Sequence, residues 1–141
     1  MDSKNALIPG CGYHHVAIRA ADFEETLRFY CEGLGFRVAV RWGQGNGRAA
    51  LLNTGDGNYL EVFAGGKRSP GEPVPEGAIL HYALRTPNCD AAIERARAAG
   101  ATVTVEPKTV PLDSEPKITL RIAFCKGPDG ELIEFFQNDQ T

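Results

Sequence analysis

The stretch GDGNYLEVF, residues 55–63, returns in altered form as PDGELIEFF at residues 128–136. Both contain Asp-Gly, two further residues, an aliphatic residue, a glutamate, one more residue and a phenylalanine. Extended upstream, RAALLNTGDGNYLEVF from Arg48 lies on RIAFCKGPDGELIEFF from Arg121, which sets Glu61 on Glu134, 73 residues apart. Each copy reads as strand, Asp-Gly turn, strand, the pattern of a β-hairpin. A carboxylate therefore stands in the middle of an apolar strand, twice.

The repeat continues towards the N-terminus. HVAIRA from His15 matches HYALRT from His81, 66 residues apart. Asp22 then meets Asn88, two good helix N-caps. Asp22 and Glu25 form a capping-box pattern ahead of Phe23, Leu27 and Tyr30. Ala91, Ala92, Ile93, Ala96 and Ala99 supply the apolar stripe of the second helix, and Gly35 and Gly100 are the stops. The change of offset from 66 to 73 marks a seven-residue insertion in the second copy, in VEPKTVPLDSEPK between Val105 and Lys117. A lid over a cleft is one form it can take. Each half reads β-α-β-β-β, so the expected fold class is α+β with two tandem βαβββ modules. Module 1 covers about 13–64, GGKRSPGEPVPEG (65–77) is the linker, and module 2 covers about 78–137, all within one domain spanning 1–141.

A net charge of −3 argues against a nucleic-acid partner, and Lys67-Arg68 reads as a solvated turn. No apolar run is long enough for a membrane span, and the start MDSKNALIPGCGY has no signal-type apolar core. The expectation is a cytoplasmic protein. Its four cysteines (Cys11, Cys31, Cys89, Cys125) lack metal-binding spacing and read as small buried apolar side chains.

Strand side chains alternate, so parity assigns neighbours. His15, Ala17 and Arg19 share a face opposite Val16 and Ile18; His81, Ala83 and Arg85 oppose Tyr82 and Leu84. Glu61 lies between Tyr59 and Phe63, and Glu134 between Leu132 and Phe136. A carboxylate among large apolar neighbours is partly desolvated, which is costly unless a cation or strong donors compensate. Two histidines and two glutamates at repeat-equivalent positions point to metal ligation. His14 falls on the Val16 side and has Leu80 as its counterpart, so it is excluded.

HVAIRAADFEETLRFYCEGLGF (15–36) resembles the first glyoxalase signature, and RIAFCKGPDGELIE (121–134) the end of the second module. The chain from about Tyr13 to Gln137 thus resembles the vicinal oxygen chelate superfamily. This group includes glyoxalase I, methylmalonyl-CoA epimerase, extradiol dioxygenases, and the fosfomycin and bleomycin resistance proteins. The resemblance implies a curved mixed sheet around a cleft, with the first and last strands of each module adjacent. It also implies that His15, Glu61, His81 and Glu134 ligate one divalent metal, Ni²⁺, Co²⁺ or Zn²⁺ ahead of Mn²⁺ or Fe²⁺.

The His, Glu, His, Glu set looks most like bacterial glyoxalase I, which implies a lyase or isomerase moving a proton on a small substrate that chelates the metal through oxygen atoms. Glu134 is the expected base, with Glu61 the symmetric alternative. Arg19, Arg85 and Arg121 are candidate substrate contacts. A homodimer is expected, with the cleft either within one chain or across the interface. An extradiol-type dioxygenase, or a non-enzymatic drug-binding protein of the bleomycin-resistance type, are the alternatives. Leu80-His81-Tyr82 departs from the Gly-His-aliphatic sequence usual in glyoxalase I, and Ala20 stands where Val or Ile is usual.

Overall fold

The computed structural model describes residues 4–69 and 71–141, so Met1–Ser3 of the start and Pro70 of the linker lie outside the described residues. The first half runs β1 (His15–Arg19), α1 (Phe23–Arg28), β2 (Arg37–Trp42), β3 (Ala49–Asn53) and β4 (Tyr59–Phe63). The second runs β5 (Tyr82–Arg85), α2 (Cys89–Ala98), β6 (Thr102–Pro111), β7 (Thr119–Lys126) and β8 (Leu132–Gln137). The β-α-β-β-β order thus occurs twice, as the repeat predicts.

Each half makes its own four-stranded mixed sheet, ordered β1-β4-β3-β2 and β5-β8-β7-β6. The first strand runs parallel to the last in both, with Ala17 beside Glu61 and Ala83 beside Glu134. The Asp-Gly segments close antiparallel hairpins between β3 and β4 and between β7 and β8. Among the described residues β1 and β5 are edge strands, their outer sides unpaired by another strand.

The helices start where the caps predict. Asp22 Oδ1 accepts from the Glu25 amide at 3.0 Å, and Asn88 Oδ1 from the Ala91 amide at 3.0 Å. Gly35 and Gly100 follow the helical segments with φ of 82° and 99°, left-handed values open to glycine. Between α1 and Gly35 the chain widens into a π-helical turn, Phe29–Gly33, which buries the consecutive residues Phe29 and Tyr30.

Parity holds on both sheets. The Val62, Leu52 and Leu60 face packs under the helices, as does the face of Ala123, Cys125 and Ile133. Residues of both modules join one core cluster, in which Phe23, Leu27 and Tyr30 meet Cys89, Ile93, Ala96 and Phe135. Burying these side chains supplies most of the drive to fold, on the order of 1.5–3 kcal/mol for each large one.

Three local readings change. The insertion lengthens the β6–β7 hairpin, which pairs through Pro111 and Thr119 and closes with Leu112 N–H to Ile118 O at 2.9 Å. Only its outer arms are paired sheet, and residues 112–118 form the hairpin tip. Lys67 is exposed, but Arg68 is half-buried over Gly130 and donates to the Glu72 carbonyl. The linker is therefore laid back against the β7–β8 turn. Of the cysteines, Cys89 and Cys125 are buried and Cys31 half-buried, while Cys11 is exposed because it lies ahead of β1.

Candidate metal-binding half-sites

Parallel pairing of the first and last strands places each histidine next to the glutamate of its own module. His15 Nε2 lies 3.4 Å from Glu61 Oε2, and His81 Nε2 lies 3.0 Å from Glu134 Oε2. Both pairs stand on the sheet face turned away from the helices. The two pairs remain separate: no group of three or more candidate metal-binding side chains forms among the described residues. One chain therefore carries two separate His–Glu pairs with the same chemistry, each a candidate half-site.

Two ligands bound at right angles to one ion, each at about 2.0–2.2 Å, lie about 3 Å apart. Both His–Glu pairs have this spacing, so their residues fit adjacent ligands of one ion. An imidazole nitrogen and a carboxylate oxygen also suit borderline divalent cations. Glu134 is only 7% exposed, and its carboxylate faces His81 Nε2.

The walls are aromatic. Phe124 packs edge-on against His81, with ring centroids 5.3 Å apart, and Trp42 packs edge-on against Phe63 at 6.2 Å. Arg19 donates to the Ala64 carbonyl at 3.0 Å and its guanidinium lies 5.7 Å from the Phe63 ring centre, so this candidate contact is tied into the wall. Arg85 lies on the His81 face and lines, with His81, Tyr59 and Asp56, a groove of about 800 Å³ between the modules. Arg121 is on the opposite face. Its Nη2 donates to Asp90 Oδ1 of α2 at 2.6 Å, and it does not reach the half-site.

That placement explains a feature of the repeat. Arg48, the counterpart of Arg121, pairs with Glu24 of α1 at 3.1 Å. Both arginines tie a sheet to the helix of its own module. Their equivalence reflects packing.

Two groups escaped the sequence reading. Glu131 is mostly buried, accepts from the Tyr30 hydroxyl at 2.7 Å and from the Asp129 amide at 2.8 Å, and Tyr30 also meets the Tyr82 hydroxyl. Burial pushes the Glu131 carboxyl up to about 7, against the opposing effect of the Tyr30 hydrogen bond. The same burial raises both phenols well above their ordinary value. Asp129 reaches module 1 as well, accepting from the Ala21 amide at 2.9 Å and the Thr26 hydroxyl at 2.6 Å. The signal was Tyr82, where a small aliphatic residue was expected.

The second group is His14, whose ring turns to the His15 side because it precedes β1 and escapes strand alternation. The exclusion of His14 by parity therefore does not describe its position.

Residues 12–135 match the sequence model of the Glyoxalase/Bleomycin resistance protein/Dioxygenase superfamily, and the chain belongs to that superfamily. It is 32% identical over 126 residues to the uncharacterized protein YwbC of Bacillus subtilis (strain 168), covering 87% of this chain and 94% of the relative. A probable lactoylglutathione lyase of Vibrio parahaemolyticus is 28% identical over 143 residues, covering 90% and 91%. Among solved structures, TnmS3, an antibiotic binding protein from Streptomyces sp. CB03234, superposes with a TM-score of 0.67 at 24% identity. That match covers 92% of this chain and 97% of the other. Relatives named as lyases and a protein named as a binder thus share this fold.

Proposed function

We propose that this chain is a glyoxalase I-like, metal-dependent lyase or isomerase, transferring a proton on a small substrate that bears neighbouring oxygen atoms. It acts as one two-module domain, in the cytoplasm, and as a homodimer. The observation that carries this reading is the pair of equivalent His–Glu half-sites with the spacing of adjacent metal ligands.

One chain keeps the halves apart and leaves β1 and β5 at open edges. A second copy would bring His15 and Glu61 of one protomer to His81 and Glu134 of its partner, completing four ligands. A bound Ni²⁺, Co²⁺ or Zn²⁺, or else Mn²⁺ or Fe²⁺, would supply Lewis-acid polarisation of a substrate oxygen and acidify the neighbouring C–H. His15 and His81 hold their nitrogens towards the centre. Glu134, nearly buried beside His81, takes the proton from carbon as the general base. Glu61 is its symmetric alternative. Arg85, exposed on the same face, is the cation that would meet an anionic substrate.

Elemental analysis of tag-free protein purified without chelator tests the reading, alongside His81→Ala and Glu134→Ala variants. The expected result is about one divalent metal per chain, lost in both variants. Sub-stoichiometric metal that no added ion restores would leave the second reading, a metal-free small-molecule binder. The exposed apolar residues Val40 and Trp42 on the open face favour that alternative.

A further inference from the structure

We propose that His14 is a positioning residue that sets the tautomer and ring orientation of His15. The inference rests on the metal-ligand role of His15. His14 Nδ1 and His15 Nδ1 are 2.9 Å apart, and the two rings meet edge to face at 86°. The other nitrogen of His15, Nε2, points to Glu61. Both nitrogens of this imidazole are therefore engaged, on opposite sides.

An imidazole that gives its Nε2 lone pair to a cation must carry its proton on Nδ1. Here the acceptor for that proton is His14 Nδ1, which requires His14 to carry its own proton on Nε2. The His14 ring is held independently. It stacks on Tyr59, with centroids 5.0 Å apart and planes 27° apart, while its carbonyl accepts the Tyr59 amide at 2.8 Å. Tyr59 stands two residues before Glu61 on the same face of β4, so one strand aligns both partners of His15. A hydrogen-bonded outer partner fixes a ligating histidine in this way.

The second half-site lacks this support. Leu80 occupies the place of His14, and among the described residues no side chain hydrogen-bonds the Nδ1 of His81, whose ring packs on Phe124. The two half-sites share ligands but differ in how the histidine is held. His14→Leu would convert the first arrangement into the second.

The test titrates Zn²⁺ into metal-free protein against a competing chelator, for the wild type, His14→Phe, His14→Gln and His15→Ala. Phenylalanine keeps the stacking on Tyr59 and removes the nitrogen; the glutamine carbonyl restores an acceptor. The expected result is about tenfold weaker Zn²⁺ binding in His14→Phe, at the low end for an outer partner because the pair is exposed. Partial recovery is expected in His14→Gln, and a larger loss in His15→Ala. Imidazole nitrogen NMR of the Zn²⁺ form should show the His15 proton on Nδ1, protected from exchange in the wild type and exchanging freely in His14→Phe. Unchanged affinity and an unchanged His15 proton in His14→Phe, with affinity lost in His15→Ala, overturn the role of His14 and leave the metal reading standing. Unchanged affinity in His15→Ala overturns both. Melting temperatures of the exposed-site variants report whether the fold is retained.

Discussion

Glu131 shows how one side chain couples the modules to pH. Its carboxyl accepts from Tyr30 of module 1, and burial raises it from an ordinary value of 4.5 to about 7. Between those values the folded chain holds a proton that the unfolded chain releases. Stability therefore falls as pH rises through this window and levels off above pH 7, a change of roughly 3 kcal/mol by linkage. Glu131→Gln removes the slope. The amide carbonyl can accept from Asp129 while its NH₂ donates to Tyr30, so the network keeps its partners. Thermal melts at pH 5 and pH 8 should show the wild type losing stability relative to this variant; parallel behaviour would refute the assignment. Arg121→Ala makes a sharper contrast at the site, because Arg121 faces Asp90 of α2. Metal content should be unchanged in that variant, whereas it should fall in Glu134→Ala.

Among the elements, the π-helical turn and the end of α2 make a close join between the two modules. A methyl group on Gly33 would collide with Cβ of Ala99, and Arg95 Nε donates to the Gly33 carbonyl at 2.9 Å. Gly33→Ala should destabilise the protein by about 1–3 kcal/mol, the usual cost of overpacking, measured by denaturant unfolding. Most elements could be read in advance, because N-caps, glycine stops and strand alternation are local features set by one or two side chains. The π-helical turn could not, since buried Phe29 and Tyr30 are consecutive and break the 3.6-residue pattern. His14 was misread for a related reason: alternation applies inside a strand, and β1 begins one residue later.

At the scale of the whole molecule, the open edges of β1 and β5 and the two separated half-sites make one prediction. His15→Ala and His81→Ala chains should each bind little metal alone. Mixed after dissociation, half of the dimers pair one chain of each kind, and each such dimer has one intact site, so roughly a quarter of wild-type metal binding should return. No recovery on mixing would place the complete site inside a single chain. No helix among the described residues is long and apolar enough to cross a membrane.

The repeat by itself determined the two βαβββ modules and their hairpins, and set the two histidines and the two glutamates at equivalent positions. Strand alternation and the hairpin turns follow from local chemistry that both copies share. Tertiary structure decided what depends on elements distant in the chain. It set Arg121 against α2, carried Tyr30 to Glu131 across the module boundary, turned His14 towards His15, and kept the half-sites apart. The reason is geometric: periodicity specifies which face a side chain takes, whereas packing of one module against another decides what that face meets.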